Sequence, residues 1–101
     1  MKIIRVQYTV KENYVDQNKT NIKAVMDDLR ATPIEGMHYS SYYLGDGKFM
    51  HFSRSKDAET AAQLNNRELF NKFRTELKAS GPIESPKAED LELVGSNSDV
   101  I

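Results

Sequence analysis

Residues 37–55 read MHYSSYYLGDGKFMHFSRS, and this stretch decides the fold. Its two flanks, 37–44 and 49–55, are rich in aromatic and serine residues, a composition typical of β-strands. Between them lies Gly-Asp-Gly at 45–47, and these residue types tolerate the positive φ angles of a tight turn. The stretch therefore predicts two neighbouring antiparallel strands joined by a hairpin.

The residues before the hairpin predict a strand followed by a helix. Residues 1–10 alternate between apolar and polar side chains, and the apolar set is Ile4, Val6, Tyr8 and Val10. Residues 14–31 instead have helical spacing, with an apolar face formed by Val15, Ile22, Val25, Met26 and Leu29. We expect this helix to end near Thr32, because the residue before Pro33 is disfavoured in the α conformation.

The residues after the hairpin predict a broken helix. Asp57 is the expected N-cap of its first part, and the pair Asn65 and Asn66 marks the break. A further helix is predicted over 67–79, with Leu69, Phe70, Phe73 and Leu77 on its apolar face. Gly81 and Pro82 follow it as a helix stop.

The C-terminal part of the chain predicts one more strand and an arm. Residues 83–90 contain a proline and mixed charges, and we interpret them as an exposed connection. Residues 91–94 read Leu-Glu-Leu-Val and predict a final short strand. Residues 97–101 are predicted to be a C-terminal arm, whose Val100 and Ile101 are candidates for docking on a partner subunit.

This element order predicts an α+β ferredoxin-like βαββαβ sandwich with an antiparallel sheet, built as a single domain over residues 1–96. Both helices of such a sandwich cover the same sheet face. The predicted strands nevertheless carry apolar residues at both parities, as with Tyr42 and Tyr43. We therefore expect the second face to be covered by another copy of the chain in a homodimer.

Composition excludes several function classes. The chain has 101 residues, with 14 Lys and Arg against 15 Asp and Glu, so its net charge of −1 offers no field for nucleic acid. It contains no cysteine, which rules out disulfides, thiolate nucleophiles and cysteine-type zinc sites. Residues 1–10 are interrupted by charged side chains and do not resemble a signal peptide, and no segment has the ~20 apolar residues of a membrane span. We expect a cytoplasmic protein.

The chain resembles the antibiotic biosynthesis monooxygenase-like (ABM) domains of the dimeric α/β-barrel superfamily. The resemblance covers residues 1–96 and rests on element order and on three segments, which are Phe49–Phe52, Ser55–Glu59 and the helical apolar set ending in Gly81 and Pro82. It implies a homodimer in which two sheets form a dimeric α/β barrel, with a small-molecule cavity between sheet and helices in each subunit. Relatives oxidise quinols or anthrone-like aromatics without a cofactor, degrade haem, isomerise substrates or only bind ligands, so the fold does not select the reaction.

The resemblance implies roles for a few residues. The chain has no tryptophan, which haem-degrading relatives use, and this argues against haem degradation. The family's cofactor-free oxygenases place Asn, Trp and Tyr around the substrate. The matching candidates here, as hydrogen-bond donors, are Asn65 or Asn66 at the helix break and the tyrosines of the second strand, and among them we select Asn66 and Tyr39. For each tyrosine the competing interpretation is a core or interface residue.

His51 is the candidate base. Cofactor-free oxidation of an aromatic needs a base, an oxyanion donor and a water-poor pocket, and histidine has a suitable intrinsic pKa. His51 lies in mid-strand on the parity of Phe49, so its side chain can reach a cavity beside the sheet. The competing interpretation is a structural histidine that is hydrogen-bonded to its neighbours.

The sequence predicts no metal and no cofactor. Its two histidines, His38 and His51, lie on different strands, and the glycines at 45–47 join two strands without meeting a helix N-terminus. We therefore predict an ABM-like small domain, a cofactor-independent monooxygenase acting on a small aromatic or quinol. The alternative is a non-catalytic or stress-related dimer that binds a small ligand.

Overall fold

The computed structural model describes residues 1–98, and the expected docking of Val100 and Ile101 lies outside the described residues. Short 3-10 turns lie at Glu12–Tyr14 and Gln63–Asn66. The helices and strands are β1 Lys2–Thr9, α1 Val15–Ala31, β2 Met37–Gly45, β3 Lys48–Ser55, α2 Ala58–Ala62, α3 Glu68–Ala79 and β4 Glu84–Asp90.

The four strands form one antiparallel sheet in the order β2-β3-β1-β4. In the centre of the sheet His51 on β3 lies between Val6 on β1 and Ser41 on β2. The helices pack on one face of this sheet. The predicted α+β ferredoxin-like arrangement is therefore confirmed.

The hairpin forms where the sequence predicts it. Gly45, Asp46 and Gly47 have φ angles of 89°, 54° and 79°. Gly47 also lies against the backbone of the first strand's end: its carbonyl accepts a hydrogen bond from Val10 N at 2.9 Å, and a Cβ at Gly47 would lie 2.5 Å from the Val10 carbonyl oxygen. Only glycine fits this position, because a side chain would add a clash to an unfavourable φ.

The helices form for the predicted local reasons. The Asp57 side chain accepts a hydrogen bond of 2.7 Å from the backbone N–H of Thr60 and so caps α2. The predicted break at Asn65 and Asn66 is the 3-10 turn between α2 and α3. α3 buries Phe70, Phe73 and Leu77 against the sheet, and α1 buries its own apolar face beside it.

The last strand is not where the sequence predicts it. β4 comprises Glu84–Asp90, whereas residues 91–94 have no regular structure. The strand consists mostly of exposed residues, because it lies at the sheet edge and is held mainly by backbone hydrogen bonds to β1, which hydropathy does not reveal. Pro86 is tolerated there, because an edge strand has one side without a partner. After Leu91 donates to the Ile3 carbonyl at 2.9 Å, the chain leaves the sheet and Val94 is exposed.

The sheet face away from the helices is open. Tyr42 and Leu44 on this side of β2 are each 51% exposed. No helix within residues 1–98 combines the length and apolar character needed to cross a membrane.

Candidate functional site

A cavity of about 550 Å³ lies between the sheet and α3. This volume falls within the range of small-molecule sites, roughly 300–1,000 Å³. Its wall is mainly apolar and aromatic, and polar side chains come from both layers. The lining residues that matter below are Tyr8, Tyr39, His51, Phe73, Arg74 and Lys78.

His51 forms the buried floor of this cavity. It is 4% exposed, and its neighbours are mostly rings. The ring centroids of Tyr8, Tyr39 and Phe73 lie 5.4, 5.8 and 5.4 Å from its own. His51 reaches this position because it shares the helix-facing side of β3 with buried Phe49, two residues earlier.

Both nitrogens of His51 are hydrogen-bonded to tyrosines. Its Nε2 lies 2.7 Å from the Tyr8 hydroxyl, and its Nδ1 lies 3.0 Å from the Tyr39 hydroxyl. Asn18 on α1 extends the chain, because its Nδ2 donates to the Tyr8 hydroxyl oxygen at 2.9 Å. The four side chains Asn18, Tyr8, His51 and Tyr39 form a continuous hydrogen-bonded row, which we call the relay.

The hydrogen bonds of the relay all point the same way, with each donor on the Asn18 side and each acceptor on the Tyr39 side. The Asn18 amide is a donor, so the proton of Tyr8 must go to another acceptor, and within residues 1–98 that acceptor is His51 Nε2. His51 then carries its proton on Nδ1 and donates it to the Tyr39 oxygen. The Tyr39 proton is left without a described protein acceptor. Since Tyr39 lines the cavity, this proton is available to a ligand there.

Burial keeps every member of the relay neutral. It lowers the pKa of His51 from 6.5 to about 4. Burial also raises the pKa of Tyr8 and of Tyr39 far above the ordinary value of 10.0. At neutral pH the cavity floor therefore presents an uncharged hydroxyl donor supported by an uncharged imidazole.

Nothing in the described part of the chain gathers three or more His, Asp or Glu side chains in a metal-binding arrangement. The chemistry open to this site from its own residues is hydrogen bonding and exclusion of water.

No family model and no curated protein matches the chain, but solved structures do. An antibiotic biosynthesis monooxygenase matches with a TM-score of 0.79 at 13% identity, over 94% of this chain and 100% of that one. Rv0793 from Mycobacterium tuberculosis gives a TM-score of 0.79 at 13% identity, over 96% of this chain and 98% of that one. A variant of SnoaB, a cofactor-independent oxygenase from Streptomyces nogalater, gives a TM-score of 0.71 at 11% identity, over 95% of both chains. The chain has the ABM fold.

This ABM-like domain brings two of the three sequence-predicted site residues together. His51 and Tyr39 are in direct contact on the cavity floor. Asn66 is exposed in the 3-10 turn after α2 and does not line the cavity. The asparagine that does join the site is Asn18, which is fully buried.

The position of Asn18 in the sequence already indicates that its side chain is buried. It lies four residues before Ile22 and seven before Val25, so it shares the buried face of α1 with them. A polar residue within an apolar helical face needs a buried hydrogen-bond partner. Here the partner is Tyr8.

Two positively charged side chains lie at the exposed edge of the cavity. Arg74 and Lys78 on α3 are exposed, and both line the cavity. The Arg74 guanidinium lies 4.6 Å from the centroid of the Phe70 ring and donates to the Asn71 side-chain oxygen. Neither cation has an ion-pair partner within residues 1–98, where the described pairs involve other residues.

A second hollow, of about 640 Å³, runs between α1 and β2. It is a more open surface groove, and three of its charged residues, Lys23, Asp27 and Arg30, are exposed. It shares Tyr39 with the first cavity but does not contact His51. The buried polar groups with shifted pKa values converge on the His51 cavity, which is therefore the candidate site.

Proposed function

We propose that this ABM-like domain is a cofactor-independent monooxygenase that acts on a small aromatic or quinol substrate held in the His51 cavity. The observation that carries the proposal is the relay, which ends at Tyr39, a residue that lines this aromatic-walled cavity. The cavity has the dimensions of a small aromatic ligand site. SnoaB, a cofactor-independent oxygenase of the same fold, adds support.

The chemistry starts from an electron-rich aromatic anion. A quinol or the enol form of an anthrone loses its hydroxyl proton to solvent, and the anion transfers an electron to dioxygen. For an anthrone-type ring the balance is one CH₂ group and O₂ giving one C=O group and H₂O. The ring carbon is oxidised, dioxygen is reduced, and one oxygen atom enters the product. No metal or organic cofactor enters this balance.

Tyr39 is the residue that touches the substrate in this proposal. Its hydroxyl donates to the substrate oxygen and becomes a stronger hydrogen bond as that oxygen gains negative charge. Because the cavity wall is mainly apolar, the bond stabilises the anion more than it would in solution.

His51 is a positioning residue in this proposal rather than the base. Its pKa of about 4 makes it a weak base at neutral pH, and both of its nitrogens are already hydrogen-bonded. Its Nδ1–H instead holds the Tyr39 oxygen, which directs the Tyr39 proton to the substrate. Asn66 has no part in this arrangement, because it is exposed outside the cavity.

Tyr39→Phe tests the role of the hydroxyl. We expect oxygen uptake with anthrone or 1,4-dihydroxynaphthalene to fall about 100- to 1,000-fold, as for a lost oxyanion donor. The measurement is the rate in an oxygen electrode, with uncatalysed autoxidation subtracted. Tyr42→Phe is the matched control, because Tyr42 is on the same strand but faces the other side of the sheet. Uptake no faster than autoxidation in the unmodified protein would contradict the oxygenase proposal.

We further propose that the domain is a homodimer that pairs through its open sheet face. Half-buried and exposed apolar side chains on that face, such as Phe52 and Leu44, are what a second sheet would cover. The measurement is molar mass by light scattering after gel filtration, and we expect twice the chain mass of 11.5 kDa. Leu44→Glu should shift that mass toward one chain, and a single-chain mass for the unmodified protein would overturn the dimer.

The alternative function is non-catalytic binding of a small ligand. It is favoured by the low pKa of His51, because a floor without a strong base can hold a ring without reacting with it. Saturable binding of an aromatic probe without any oxygen uptake would decide for this alternative.

A further inference from the structure

Arg74 and Lys78 form a paired cationic group at one edge of the His51 cavity. They are four residues apart on α3, so their Cβ atoms are neighbours at about 6 Å. Like charges at this spacing repel each other and weaken a helix slightly. A pair of this kind usually has acidic partners, yet within residues 1–98 neither residue forms an ion pair.

Glu76, the acidic residue between the two cations in the sequence of α3, is engaged elsewhere. Glu76 accepts a hydrogen bond from Asn21 and forms an ion pair with Lys72, on a different side of α3. The cavity lining itself contains no Asp or Glu. The positive charge at the cavity edge is therefore not neutralised by the described protein.

The guanidinium of Arg74 is held in place. It stacks over the Phe70 ring at 4.6 Å, and one of its nitrogens donates to the Asn71 side chain. Stacking fixes the plane of the group, and its other N–H donors stay available for a planar anion. Lys78, one turn further along, adds a flexible point charge.

We propose that the ligand of this cavity is a carboxylated aromatic, with its ring against the cavity wall and its carboxylate bound by Arg74 and Lys78. The inference rests on the proposed function in one respect, namely that this cavity holds the aromatic ligand. The proposed ligand then has two polar ends. A ring oxygen meets the Tyr39 hydroxyl at the floor, and the carboxylate stays at the solvent edge.

The test is a binding comparison that needs no turnover. The probes are 6-hydroxy-2-naphthoate and its neutral analogue 6-hydroxy-2-naphthamide, whose two polar groups lie at opposite ends of the ring system, titrated by calorimetry against the unmodified protein. We expect the carboxylate to bind about 25-fold more tightly, roughly fivefold for each of the two partly exposed charge contacts. The difference should shrink in 1 M salt, because screening weakens exposed charge pairs.

Charge-removing variants locate the effect. The double variant Arg74→Gln with Lys78→Gln should bind both probes equally. Lys72→Gln is the matched control, because Lys72 is on the same helix but does not line the cavity, and it should keep the full preference.

The possible failures are distinguishable. Equal binding of the two probes by the unmodified protein, or an unchanged preference in the double variant, would overturn the carboxylate inference and leave the cavity as a site for neutral aromatics. Absence of binding by both probes would count against the aromatic ligand itself, and so against the proposed function as well. Binding of the carboxylate without oxygen uptake would support the carboxylate inference within the non-catalytic alternative.

Discussion

Replacing His51 by phenylalanine is expected to lower oxygen uptake with anthrone at least about 100-fold, while His51→Gln keeps most of the activity. Phenylalanine fills a similar volume but cannot donate to Tyr39 or accept from Tyr8. The Tyr39 proton is then no longer directed to the substrate, and the loss is comparable to that of an oxyanion donor, roughly 100- to 1,000-fold. Glutamine offers one acceptor and one donor, so it can connect the two hydroxyls as the imidazole does.

The contrast between the two variants separates positioning from base catalysis. A base at this position would be lost equally in both, since an amide does not take up a proton at neutral pH. The measurement is kcat by oxygen electrode, with circular dichroism to establish that each variant is folded. His38→Gln is the control, because His38 is exposed on the opposite face of β2. Equal loss in the Phe and Gln variants would overturn the positioning role, and unchanged uptake in both would remove His51 from the site.

The second large effect is a loss of stability in mild acid. Burial lowers the pKa of His51 to about 4 in the folded chain, against 6.5 for the unperturbed group. Between these values the unfolded chain binds a proton that the folded chain does not, so the free energy of unfolding decreases as pH falls. The contribution of His51 is complete above pH 6.5 and lost near pH 4, and it amounts to about 3 kcal/mol.

Urea unfolding at pH 7.5, 5.5 and 4.5 measures this loss. Asp57 and Glu89 also have lowered pKa values, because they accept hydrogen bonds from Thr60 and Arg5, and their contribution likewise falls in acid. The variant comparison isolates His51, since His51→Phe removes only its part of the pH dependence. His38→Gln should retain the full acid sensitivity. An identical pH dependence in His51→Phe and the unmodified protein would show that burial of this imidazole is not linked to folding.

The sequence predicts correctly those parts of the fold that depend on residues close to one another along the chain. The Gly-Asp-Gly turn and the Asp57 cap each depend on residues within four positions, so the local sequence is sufficient to predict them. β4 depends on the free edge of β1, which lies more than seventy residues away, and its exposed side chains give no pattern of their own. The sequence instead predicts the last strand at 91–94, because those residues are mostly apolar.

The sequence indicates which types of residue form the candidate site, but it does not indicate which residues hydrogen-bond to one another there. His51 and Tyr39 have suitable chemistry and strand positions, and the structure joins them. Asn66 was chosen because it lies near the helix break, whereas Asn18 is the residue that reaches the relay. That contact crosses from α1 to β1, and only the packing of helix on sheet brings it about.

The two edges of the sheet differ in their capacity to recruit further strands. β4 carries Pro86, which lacks an N–H, and a row of charged side chains, features that discourage edge pairing. β2, at the opposite edge, contains no proline, Lys, Arg, Asp or Glu. Edge pairing between copies is therefore open only from β2 to β2, and one such contact uses the available edge of both copies. The fold thus has a built-in limit against growth into fibrils, because a chain with a single pairing edge cannot propagate a continuous sheet.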